Sequence, residues 1–214
     1  SNTIKYYIDN PITYQYNNFG YRTYDDFNKN DDGIVTLGCS YTEGIGLHLE
    51  HTWGYRIAKK LNKKFWNLGE GGFGLDKCYY NLLFFIDYLK FDDIFLLIPP
   101  KFRFCFYTRD NTFLKGHNNT WISKSIHDWF DNKQTNELFF NSETTEFLRQ
   151  LSYLHAIKYL AGKKNKQLYV LDCTYDIGND EYDEYNFGAR DIHFSPNHQF
   201  GWYLKFMEKY YNTK

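Results

Sequence analysis

The chain is poor in several things at once. Its 214 residues hold one methionine, four prolines and four cysteines, and no Cys-x-x-Cys pair occurs. Cys39, Cys78, Cys105 and Cys173 are scattered in mostly apolar contexts, which points to reduced, buried thiols rather than disulfides or a metal centre. Excess charge is also missing. Lys and Arg number 25 against 26 Asp and Glu, a formal net charge of −1, so nothing drives binding to nucleic acid or to an anionic membrane. Long apolar runs are absent too: the best stretch, over 79–89, is broken by Asn81 and Asp87 and falls short of the roughly 20 residues a membrane span needs. The N-terminus has no basic segment followed by an apolar one, so no signal peptide is expected, and a cytoplasmic location is predicted.

What the chain has in abundance is aromatic residues, with 21 Tyr, 20 Phe and 5 Trp making up 21% of it. With 43% hydrophobic residues at this length, one ordinary domain can bury a real core. Residues 1–32 are polar and Tyr/Asn-rich and read as an N-terminal arm or hairpin packed on the main domain, turning at Asn17-Asn18. Residues 33–214 read as that single domain. Ile34-Val35-Thr36-Leu37-Gly38 is a β-branched run ending in small residues, the first buried strand. Thr52 is placed to cap a helix through Trp53, Ile57, Ala58 and Leu61, and Phe65-Trp66-Asn67-Leu68 follows as a strand. A helix is predicted over 75–89, a strand over 93–98 stopped by Pro99-Pro100, a helix over 143–160, a strand over 167–171 and a last helix opened by Ser195-Pro196. Residues 101–142 lose periodicity and read as a long aromatic-rich insertion. Strands alternating with helices predict an α/β fold, a three-layer α/β/α sandwich with a mainly parallel, flavodoxin-like central sheet.

In such a sheet, sites form beyond the carboxyl ends of the strands. Gly38-Cys39-Ser40-Tyr41-Thr42-Glu43-Gly44 lies there, directly after the first strand, with small residues flanking Ser40 so that its hydroxyl can sit exposed near backbone N–H groups. Asn67-Leu68-Gly69-Glu70-Gly71-Gly72 follows the second strand, and its glycines allow close backbone approach to a ligand. Late in the chain, Arg190-Asp191-Ile192-His193-Phe194-Ser195-Pro196 brings an acid and a histidine together on one loop, as a base and its orienting group require.

In this order the three segments resemble the blocks of the SGNH, or GDSL-like, hydrolase family, with cysteine at position 39 where aspartate is more usual. The resemblance is strongest to a branch associated with bacteriophage and marine bacterial genomes, which pairs the first block with a Thr-Trp helix, here Thr52-Trp53. Asn17-Asn18-Phe19-Gly20-Tyr21-Arg22 is similar to a leader in that branch. The resemblance implies Ser40 as nucleophile, His193 as general base, and an oxyanion hole made by the backbone of Ser40 and Gly72. Two departures stand out. The family's third block supplies an asparagine to the oxyanion hole, but here the third strand runs into Pro99-Pro100-Lys101-Phe102-Arg103, so either Arg103 or Lys101 substitutes or turnover is slow; one missing donor costs roughly 3–4 kcal/mol of transition-state stabilisation. The family's acid stands three residues before the histidine, where this chain has Arg190, so Asp191 takes the role, with Asp183 and Glu184 in reserve.

The other candidates read as structure. Cys39 has no neighbour in sequence that would lower its pKa. His48 and His51 have a metal-like spacing but read as loop or surface residues, and His155 and His198 fall on helices where packing or solvent exposure is commoner than ligation. The Asn118-Asn119-Thr120 sequon has meaning only for a secreted chain. The expected function is hydrolysis of a small acyl ester, with O-acetylated carbohydrate favoured because Phe102, Trp121 and other insertion aromatics can form a wall suited to sugar rings, beside Tyr41 and Thr42. No metal or cofactor is expected, and the partner is a small-molecule or glycan ester. Two alternatives share the fold: a catalytically degenerate carbohydrate-binding or virion-associated module, and an acyltransferase using the same serine.

Overall fold

The computed structural model of the chain describes residues 2–101, 103–107, 113–117, 143–173 and 195–214. In chain order these form α1 (Asn2–Asp9), β1 (Asp32–Leu37), the single turn α2 (Ser40–Glu43), a 3-10 turn (Leu49–His51), α3 (Trp53–Leu61), β2 (Lys64–Asn67) and α4 (Leu75–Phe85). β3 (Lys90–Ile98), β4 (Arg103–Tyr107), β5 (Phe113–His117), α5 (Glu143–Lys163), β6 (Gln167–Asp172) and α6 (Pro196–Thr213) complete them. Four strands make one sheet in the order β2-β1-β3-β6, and every pairing in it is parallel.

Alternation along the strands sends successive side chains to opposite faces, and each face is covered by two helices. Val35, Leu37, Trp66, Ile94 and Leu96 pack with Leu75, Leu82 and Phe85 of α4 and Ile157 and Ala161 of α5. On the other face Ile34, Phe65, Phe95, Leu97, Tyr169 and Leu171 pack with Trp53 and Ile57 of α3 and Trp202 and Phe206 of α6. The fold is therefore the expected α/β/α arrangement around a parallel sheet. Gly33 is needed for space rather than for conformation: a Cβ there would overlap the Trp66 indole, which lies across the start of β1.

Four local features differ from the pattern read in the sequence. Residues 2–9 are helical, where an extended arm is predicted. So short a helix is not stable by propensity alone; it docks through Tyr7, whose ring stacks on His48 at 6.0 Å, and it is closed by Asn10, whose backbone and side-chain N–H groups both donate to the Tyr6 carbonyl. Thr52 precedes α3 without capping it, because its hydroxyl donates backwards to the Leu49 carbonyl at 2.7 Å. Helix α4 stops at Phe85 rather than running to 89, and β3 begins earlier than expected, at Lys90. The insertion after β3 is not wholly irregular, since β4 and β5 pair as an antiparallel two-stranded sheet. Each strand is five residues long, too short for periodicity to declare itself.

The arm crosses back over the domain between α1 and β1. Tyr16 and Arg22 form an antiparallel bridge around a tight turn at Gly20, and Phe27 inserts between Trp66 and Phe85. No described helix is long and apolar enough to cross a membrane.

Candidate active site

Strand β1 ends in a fully buried Leu37, and the chain turns at once into α2 with Cys39 as N-cap and Ser40 as its first residue. Gly38 makes this turn possible by leaving room for Thr42, whose hydroxyl would overlap any Cβ at that position. The helix lasts one turn: the N–H groups of Thr42 and Glu43 donate to the Cys39 carbonyl, and Gly44 closes it with a left-handed conformation. Ser40 thus stands beyond the carboxyl end of the strand on which the sheet's order reverses, since β2 lies to one side of β1 and β3 to the other. Such a switch point opens a crevice at the sheet edge.

The glycine turn after β2 closes against it. The Leu68 N–H donates to the Thr36 carbonyl at 2.9 Å and the Glu70 N–H to the Gly38 carbonyl at 3.2 Å, so the turn is laced to the end of β1. Gly69 is pressed onto Thr42; a Cβ there would come within 2.6 Å of the Thr42 Cβ and 2.7 Å of the Glu43 nitrogen. At Gly71 the equivalent position lies 3.7 Å from the Ser40 Cβ, which puts the turn directly beside the serine. Gly72 follows with φ of 82°, a conformation that an L side chain would strain.

The cysteine and the arginine next to this serine have clear environments. Burial pushes the Cys39 thiol up, partly offset by the charge of Arg103 and by contacts with the Tyr41 backbone and the Ser40 side chain. A neutral buried thiol is a poor nucleophile, so position 39 is structural. Arg103 opens β4 and lies across the start of α4, where a Cβ on Gly74 would overlap the Arg103 carbonyl and the Cys105 N–H donates to Asp76 at 2.5 Å. Its guanidinium carbon sits 5.8 Å from the centre of the Tyr41 ring. The guanidinium faces the Cys39 thiol and the Tyr41 hydroxyl, each within reach of its charge and of a hydrogen bond from it.

Of the residues expected at the site, Tyr41 adjoins Ser40 in α2, Arg103 lies over the Tyr41 ring, and Gly72 follows the glycine that packs on Ser40. Thr42 is corrected. It is fully buried beneath the turn, wedged between Gly38 and Gly69, and a side chain so enclosed supports the turn rather than touching a ligand. Asp191, His193, Phe102 and Trp121 lie outside the described residues, as do Asp183 and Glu184. Helix α6, which begins three residues after His193 in sequence, is fastened to the Ser40 turn: Gln199 donates to the Tyr41 carbonyl at 3.0 Å and accepts from the Trp53 N–H at 3.0 Å, and Trp202 stacks on the Tyr41 ring at 5.9 Å. Among the described residues no group of three His, Cys, Asp or Glu side chains could hold a metal ion.

Compared with known proteins, no family model and no curated protein matches the chain. Among solved structures the chain is similar to a member of the lipolytic protein G-D-S-L family from Veillonella parvula DSM 2008, at 17% identity over 83% of this chain and 97% of that one, with a TM-score of 0.41. It is also similar to a carbohydrate esterase whose active site is described as displaying divergent catalytic and non-catalytic binding functions, at 14% identity over 86% of this chain and 69% of that one, again with a TM-score of 0.41.

Three residues that matter to the geometry carry no assignment in the sequence. Glu43, Arg22 and Gln199 are buried polar side chains that join separate segments. Their spacing shows no partner, because the groups they bind, the Gly71 N–H and Tyr16 hydroxyl for Glu43 and backbone carbonyls for Arg22, are remote in sequence. A wide groove of about 600 Å³ lies elsewhere, at the amino ends of β1 and β2, lined in part by Tyr24, Asp32, Tyr55, Lys63 and Lys64. Two of its lysines are paired, Lys64 with Asp25 and Lys63 with Asp32, and it opens at the opposite end of the strands from Ser40.

Proposed function

We propose that the chain is a serine esterase of the SGNH type that hydrolyses a small acyl ester. The observation that carries this is the seating of Ser40 at the switch point of a parallel sheet with a glycine turn packed directly against it. In the proposed reaction Ser40 Oγ attacks the ester carbonyl carbon while His193, oriented by Asp191, takes the hydroxyl proton. The backbone N–H groups of Ser40 and Gly72 stabilise the tetrahedral oxyanion. Collapse breaks the bond to the alcohol, which leaves with the proton from His193; water then attacks the acyl-serine, gives its proton to His193, and releases the acid as Ser40 is reprotonated. No metal or organic cofactor takes part. The fastening of α6 to the Tyr41 backbone supports a role for His193, three residues before that helix in sequence, at this turn.

Arg103 supplies the electrophilic help that the family's asparagine would give. Its permanent cation lies against Cys39 and Tyr41, the residues on either side of Ser40, where it can stabilise a developing oxyanion. Tyr41, half-buried and stacked on Trp202, offers an aromatic face next to Ser40, which supports an O-acetylated carbohydrate as substrate, with Phe102 and Trp121 as further wall.

The test is turnover of p-nitrophenyl acetate. S40A is expected to abolish it and H193A to reduce it to a trace, and R103M is expected to lower kcat by roughly 100-fold with little effect on KM. Hydrolysis by S40A equal to that of the wild type would sink the proposal; an unchanged kcat in R103M would remove Arg103 from the oxyanion hole while leaving the serine mechanism in place.

A further inference from the structure

We infer that Glu43 is a positioning residue that sets the Gly71–Gly72 turn against Ser40 and couples that turn to the N-terminal arm, an inference that rests on the esterase proposal for its catalytic consequence. Glu43 is the last residue of α2, three positions after Ser40, and is 9% exposed. One carboxylate oxygen accepts the Gly71 N–H at 2.7 Å and the other accepts the Tyr16 hydroxyl at 3.3 Å. Its backbone carbonyl accepts from the buried Arg22 guanidinium at 3.3 Å. Three segments distant in sequence therefore meet on this residue: the nucleophile turn, the glycine turn and the arm.

A buried carboxylate is costly unless it is well bonded. Burial pushes the Glu43 carboxyl above the usual carboxylate range, and the Gly71 N–H, Tyr16 and Arg22 each pull it back. A core position serving the fold alone is filled as well or better by an apolar side chain of similar volume, so packing does not account for an acid here. Directional control does. The glycine turn is laced to β1 on one side by the Glu70 N–H, but the two glycines nearest the serine have no side chains to hold them. A charge-assisted bond to the Gly71 N–H fixes the Glu70–Gly71 peptide plane and so the entry to Gly72 one residue on, and an oxyanion donor displaced by about 1 Å loses roughly 100-fold in rate.

Two readouts separate this inference from the esterase proposal: amide hydrogen exchange of the 69–73 segment, and the rate at which a fluorophosphonate probe modifies Ser40. Volume-matched E43M is expected to speed exchange of that segment roughly tenfold or more while β1 and β3 stay protected. The same variant should slow Ser40 modification roughly 100-fold and lower kcat for p-nitrophenyl acetate with KM within about threefold. E43Q, which keeps an acceptor for Gly71, is expected to restore both. Y16F removes one partner without removing a core group and should shift both readouts in the same direction by less; if E43M does not fold, Y16F decides. Unchanged exchange in the variants overturns the inference whether or not Ser40 reacts, as does faster exchange with Ser40 reactivity intact. A wild-type protein inert to the probe, with exchange still raised by E43M, overturns the esterase proposal and retains Glu43 as the brace of the turn.

Discussion

Arg22 is 1% exposed, and its guanidinium carbon lies 4.2 Å from the centre of the Tyr14 ring while its nitrogens donate to the backbone carbonyls of Glu43, Gly44 and Leu47. These carbonyls belong to the end of α2 and the loop beyond it, so an arm residue closes the Ser40 turn from below. The planar fork of donors is what matches three carbonyls at once, which a lysine cannot do. R22A is expected to destabilise the fold by about 3 kcal/mol, and R22K to recover less than half of that, as read by urea denaturation; equal stability of R22K and wild type would contradict the assignment. The residues legible in the sequence were those whose chemistry is local. Ser40 and its flanking glycines announce a turn by type and spacing, and Cys39 announces a buried thiol by its apolar setting, although the Arg103 cation beside it comes from a segment remote in sequence. Arg22 and Glu43 were not legible as a pair, because a charged side chain is normally expected in water and each here binds backbone that only the tertiary fold delivers. Thr42 misled for the converse reason: beside a nucleophile in sequence, it points under the turn in space.

At the scale of elements, legibility followed length and pattern. The strands β1, β3 and β6 and the long helix α5 were evident because apolar runs or helical spacing extend over enough residues to be counted. Helix α1 and the β4–β5 pair were not, since α1 offers helical spacing only over Ile4, Tyr7 and Ile8 and docks onto His48, while β4 and β5 are held by pairing. The 3-10 turn over Leu49–His51 carries a consequence for stability. Burial, then the charges of Arg56 and His48, hold His51 down at about 4 against an ordinary 6.5, with Glu50 opposing. The folded state therefore prefers the neutral imidazole. Between pH 6.5 and 4 the unfolded chain takes up a proton that the folded chain refuses, and stability falls as pH falls through this window. The full shift would correspond to about 3 kcal/mol, reduced to roughly 1–2 kcal/mol by solvent at a partly exposed site. His51→Asn is expected to flatten this part of the stability–pH curve in chemical denaturation at pH 7 and pH 4.5; the same slope in both proteins would show that another group is responsible.

For the whole molecule, the near-zero net charge and the heavy aromatic content acquire a structural setting. Aromatic rings fill both faces of the sheet, with Phe27, Trp66 and Phe85 on one side and Trp53, Phe95, Tyr169 and Phe206 on the other. The sequence alternation of strands and helices was sufficient for the layers and for the parallel sheet, because right-handed crossovers leave few other ways to pack them. It was also sufficient to direct attention to one edge, where the order β2-β1-β3-β6 opens a crevice between β1 and β3. What it could not supply was the bracing of that crevice by the arm, since Tyr16 and Arg22 reach the nucleophile turn from segments with no periodic signal. The central claim is that Ser40 in this braced turn is an activated nucleophile, and the most direct measurement is intact-mass and peptide-mapping analysis after treatment of the folded protein with a fluorophosphonate. The account predicts a single adduct on Ser40, absent from S40A and formed far more slowly in H193A. An unmodified folded protein, or an adduct that persists in S40A, would contradict it.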